Sequence, residues 1–162
     1  MKPPFALLLA LAFVLLLAVP VSATPPVVET VSAEDDYVAF DNDPCPGLVI
    51  RDHEVYTYTK TSYFDDQGNL VRTQIHAVGT DNLYNPMNPD VVLSGHFVHN
   101  FLIDERTGEQ TDFGIPYHIT VPGYGTVFVE AGRWFPDGRR VGKQSSGDPK
   151  DMEQFCSLLA GD

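Results

Sequence analysis

The chain has 162 residues, with 22 acidic against 10 basic side chains, a formal net charge of −12 and 11% aromatic residues. So acidic a surface repels phosphate backbones and anionic lipid, which excludes nucleic-acid binding and electrostatic membrane docking. The aromatic content excludes general disorder, and no apolar run is long enough for a bundle of membrane helices.

Residues 1–23 read as an export signal. Lys2 supplies the positive start, Phe5 to Val19 an unbroken apolar stretch, and Pro20 followed by Val21-Ser22-Ala23 the helix break and cleavage site. Cleavage after Ala23 leaves about 139 residues, enough for one domain with its own core. The expected product is secreted, free of the membrane and monomeric. Residues 24–44 hold Glu34-Asp35-Asp36 and Asp41-Asn42-Asp43 among Pro and small residues, and read as an acidic flexible linker. They lack the ligand spacing of a calcium loop.

The disulfide-closed β domain is expected over residues 45–162. In an exported chain, Cys45 and Cys156 are expected to pair, stapling the two ends of the domain. With no second Cys or His near either, they do not form a zinc site. From Gly47 onward, β-branched and aromatic residues recur in short runs punctuated by Gly, Pro, Asn and Asp, the pattern of successive antiparallel strands.

Glu54 to Phe64 alternates, with Tyr56 and Tyr58 on one face and Val55, Thr57, Thr59 and Thr61 on the other. Asp65 to Asn69 then turns the chain at Gly68 into Leu70 to Val78, giving a hairpin. Val91 to Ile103 carries Val91, Leu93, Phe97, Phe101 and Ile103 at odd positions, so one face is apolar. A turn around Thr107-Gly108 leads to a strand in which Ile115, Tyr117, Ile119 and Val121 keep the odd pattern. Pro122 to Gly125 and Pro136-Asp137-Gly138 are the next turns, flanking Thr126 to Phe135 and leading to a short strand near Arg139 to Lys143. Tyr63-Phe64-Asp65-Asp66-Gln67-Gly68 echoes Trp134-Phe135-Pro136-Asp137-Gly138, which reads as shared turn chemistry. A final helix starts with Asp148 as cap and ends at Gly161, placing Met152, Phe155, Cys156 and Leu159 on one face. Six to eight strands and one short helix predict an all-β fold closing as a small antiparallel barrel or sandwich.

Catalytic signals are weak. His76, His96 and His118 are the candidates for an acid or base, and no metal or cofactor site is expected. His96 and His99 are three apart on a strand and therefore point to opposite sides. There is no nucleophile elbow and no phosphate-binding glycine loop. Tyr56, Tyr58, Phe97, Tyr117, Phe128 and Trp134 either fill the core, which is the plainer expectation, or line a hollow for an apolar ligand.

The leader, the acidic spacer, Cys45-Pro46, the hairpin from Phe64 to Arg72, the Thr107-Gly108 turn and Cys156 before Leu158-Leu159 together resemble small secreted proteins of actinobacteria and similar soil bacteria, for which no activity is known. The resemblance implies a bacterial, exported, all-β domain. The functional expectation is a secreted binding module whose partner is a small molecule, of apolar character, or an extracellular protein. The alternative is an isomerase- or cyclase-like enzyme using a histidine.

Overall fold

The computed structural model describes residues 24–143 and 149–161. The expected leader and the capping position Asp148 lie outside the described residues. Seven antiparallel strands run in chain order through one sheet: β1 (Val27–Asp41), β2 (Val49–Phe64), β3 (Leu70–Asn85), β4 (Asn88–Asp104), β5 (Glu109–Val121), β6 (Gly125–Trp134) and β7 (Arg140–Lys143). Helix α1 (Pro149–Ala160) follows. Each strand pairs with the one before it, so every connection is a hairpin. The ring of pairing that a barrel requires is not closed, because β1 and β7 each have one partner. Among the described residues, no helix is long and apolar enough to cross a membrane.

The linker expectation fails over most of its length, because residues 27–41 form β1. All but one of its residues pair with β2, from Val27 opposite Ser62 to Asp41 opposite Val49. Two of the acids that suggest solvated coil, Asp35 and Asp36, find partners on β2 and β3. Arg51 forms an ion pair with Asp36, which also accepts a 2.9 Å bond from the Tyr84 hydroxyl, and Tyr56 donates to Asp35 at 2.7 Å. Charge on this outermost strand also discourages edge-to-edge association.

The expected strands are otherwise present but longer. The first expected strand begins at Val49 rather than Glu54, and the next runs on to Asn85 rather than Val78. Only a tight turn at Pro86-Met87 separates β3 from β4. The two echoed turns share one geometry. Gly68 and Gly138 have φ of 82° and 78°, and each donates its N–H to the carbonyl three residues earlier at 3.0 Å.

Alternation along β4 buries Leu93, Gly95 and Phe97 and exposes Val92, Ser94, His96 and Val98, which defines an inner and an outer face. Between Gly95–Ile119 and Val98–Ile115 the β4–β5 register shifts, leaving one extra residue on β5, a β-bulge. The bulge reverses the side-chain parity of β5. Tyr117 and Ile119 turn inward, whereas Ile115, expected on the same face, is exposed beside Val98. Two glycines make this bend possible. A Cβ on Gly95 would lie 2.5 Å from the His118 carbonyl oxygen, and Gly114, at φ 142°, would place one 2.1 Å from that of Val98.

Bending curls the sheet until Phe40, near the end of β1, meets Tyr117 on β5 at 5.3 Å and Phe128 on β6 at 5.5 Å between ring centroids. At that end the interior is solid. Cys45, Ile50, Leu83, Leu93, Ile119, Val127 and Phe128 pack with Phe155 and Leu159 of α1. The expected helix face is the one buried, with Phe155 stacked on Phe128 at 4.8 Å. Cys45 and Cys156 are joined.

Candidate functional site

Beyond the core the inner face is hollow. A cavity of about 710 Å³ opens there, lined by residues of β1 to β5. Strand register orders its wall. Nearest the core lie Tyr37, Glu54 and Tyr117; then Tyr56 and Phe97, both opposite Gly79; then Tyr58, Ala77 and His99; then Lys60, Ile75 and Phe101; and finally Thr73, Ile103 and Glu105. At that far end the Thr73 hydroxyl donates to Glu105 at 2.6 Å.

The wall contains four of the six aromatics singled out from the sequence: Tyr56, Tyr58, Phe97 and Tyr117. Phe128 lies in the solid core instead, and Trp134 sits behind His99, 6.0 Å from its ring, with Arg140 over its own face at 4.7 Å. The expected filled core is thus confined to the helix-covered end of the interior. The candidate histidines do not converge on the cavity. His76, His96 and His118 are exposed on the outer face, contacting Asn100, Thr80 and Thr126.

His99 is the histidine that faces inward. Its ring lies 4.3 Å from that of Phe101, its Nε2 is buried without a partner, and burial pushes its pKa down against the opposing charges of Asp112 and Glu130. Its signal was parity, since 99 shares the odd positions of Phe97 and Phe101 on a strand.

A carboxyl cluster forms the floor. Asp52, Glu54 and Asp81 bring one oxygen each within 4.8 Å of one another. Glu54 faces the cavity, whereas Asp52 and Asp81 lie beneath it, both 0% exposed. The Tyr37 hydroxyl donates to Glu54 at 2.5 Å and touches that of Tyr117. Asp52 Oδ1 accepts the Asn82 N–H at 2.8 Å, but Asp52 Oδ2 and both Asp81 oxygens have no N–H or hydroxyl partner. Burial raises the pKa of both aspartates, and the charges of Asp52 and Glu54 raise Asp81 further. One proton on Asp81, donated to Asp52, satisfies this pair. Burial likewise pushes the Tyr37 and Tyr117 hydroxyls far above the ordinary tyrosine range, so both stay protonated donors. In the sequence these three acids carry no signal, because net acidity hides any particular three.

A carboxyl whose folded pKa is raised binds its proton more tightly in the native state. Its contribution is full below about pH 4, where an unfolded Asp titrates, and is lost as pH rises through the folded value. Stability measured by urea denaturation is therefore expected to fall with rising pH above about 4, by at most ~1.4 kcal/mol per pH unit for one proton. Asp81→Asn, whose amide still donates to Asp52, should flatten that slope. An unchanged slope would show that Asp81 ionises freely.

The fold and site thus define an all-β domain built on one curled antiparallel sheet, solid at its helix-covered end and hollow at the other. Comparison with protein-family models, curated proteins and solved structures finds no match to this chain.

Proposed function

We propose that this chain is an exported bacterial ligand-binding domain, in which a sheet curled towards a barrel holds a small, largely apolar molecule. The observation that carries the reading is the cavity itself. At about 710 Å³ it lies within the range of small-molecule sites, and its walls combine aromatic and aliphatic side chains with a few placed polar groups. The Cys45–Cys156 disulfide is consistent with an extracellular protein, and the acidic balance leaves no basic patch for nucleic acid. The isomerase- or cyclase-like alternative loses support, because its three histidines lie outside the cavity.

Native mass spectrometry of the oxidised protein from a secreting host, compared with its denatured mass, tests the proposal. An excess of hundreds of daltons, released on denaturation, is expected. If no excess appears, and an apolar dye such as anilinonaphthalene sulfonate and a neutral naphthyl alcohol also fail to bind, the cavity is not a ligand site. The outer surface would then be the place to seek a protein partner.

A further inference from the structure

The carboxyl groups of the cavity floor have, among the described residues, no basic side chain within ion-pair distance. Among the described residues the ion pairs are Arg51–Asp36, Arg106–Asp104, Arg139–Asp137 and Arg140–Glu130, and none involves Asp52, Glu54 or Asp81. His53 contributes a favourable charge to Asp52 from the neighbouring position but lines no part of the cavity. Lys60 and His99 line it further out, one or two rows of the sheet beyond Tyr56. Asp81 is wholly buried, shares its proton with Asp52, and brings a carboxyl oxygen within 4.8 Å of those of Asp52 and Glu54.

Around this acid floor stand the rings of Tyr37, Tyr56, Phe97 and Tyr117. Tyr56 and Phe97 lie 6.4 Å apart across the wall. Ring faces attract a cation within about 6 Å, and most strongly where water is excluded. Aromatic walls closing on a carboxylate with two more acids behind it suit an ammonium group better than a neutral or anionic one, for which the same floor is uncompensated or repulsive.

Building on the ligand-binding reading, we propose that the cavity takes an organic cation. A primary or quaternary ammonium rests on Glu54 within the ring of Tyr37, Tyr56, Phe97 and Tyr117, and the apolar body lies along Ala77, Ile75 and Phe101. Asp52 and Asp81 do not touch the ligand; they supply the field beneath Glu54.

The test uses the full exported, oxidised protein and three isosteric probes followed by calorimetry: 2-(1-naphthyl)ethylamine, 2-(1-naphthyl)ethanol and 1-naphthylacetate. The ammonium probe is expected to bind at least tenfold more tightly than the alcohol, and the carboxylate probe least. Glu54→Gln should bring amine and alcohol within about threefold of each other. Tyr56→Leu should lower amine affinity more than alcohol affinity, which keeps the proposal testable if Glu54→Gln does not fold. Equal binding of amine and alcohol overturns the cation inference and leaves the ligand-binding reading standing. Failure of all three probes overturns the cation inference, and together with the absence of any native mass excess it overturns the ligand-binding reading as well. Three clustered carboxylates also match the oxygen donors of a hard divalent cation. If calcium raises the melting temperature and displaces the amine at equal concentration, the floor is a metal centre and the inference falls.

Discussion

Phe155→Ala is expected to destabilise the domain by about 3–5 kcal/mol, the range for removing a large aromatic from a core that cannot collapse around the gap. Phe155 is 0% exposed and stacks on Phe128, which in turn meets Phe40 and Tyr117. These rings link α1, β6, β1 and β5, the elements that close the solid end of the sheet. Losing Phe155 therefore leaves a void at this junction, one ring away from Tyr117 of the cavity wall. Guanidinium denaturation should show a lowered midpoint, and the amine probe should bind more weakly even where the variant is fully folded. A loss below about 1 kcal/mol would mean that α1 rests on the sheet without supporting it.

Loss of the disulfide is expected to have a comparable cost. Cys45 and Cys156 are separated by 111 positions, and constraining a loop of about this length removes close to 5 kcal/mol of unfolded-state entropy in the chain-entropy model. Measured losses for small exported domains fall at about 2–5 kcal/mol. The bond also has a local role. It fixes α1 to the segment between β1 and β2, where Cys45 is 1% exposed and packs within the core. Cys45→Ala/Cys156→Ala, compared with the oxidised protein by urea denaturation, should lower the midpoint while leaving the folded far-ultraviolet spectrum β-like. A variant as stable as the oxidised protein would show that packing by Phe155 and Leu159 holds the helix alone.

Much of the architecture was legible in the sequence because it is written in local patterns. Period-two alternation in Tyr56-Thr57-Tyr58 and along Leu93 to Ile103 marks strands and their inner faces, and Gly68, Gly108 and Gly138 mark turns that need positive φ. The helix was legible because Met152, Phe155, Cys156 and Leu159 share one face. Where reading failed, the deciding partners were distant in sequence. Residues 27–41 look like coil until Arg51, Tyr56 and Tyr84 are placed beside Asp35 and Asp36. Ile115 keeps its alternation on paper, and only the bulge against β4 turns it outward.

The sequence by itself thus determined the all-β class, the hairpin order of most strands, the helix face and the cysteine pairing, since strand period, turn chemistry and residue type act over a few neighbours. Only the tertiary structure decided that the interior is solid at one end and hollow at the other. It also decided which aromatics line the hollow, and that three acids from β2 and β3 meet beneath it. Those outcomes depend on how sharply the sheet bends, and the bend is set by contacts between backbones, such as Gly95 against His118, that no local pattern encodes.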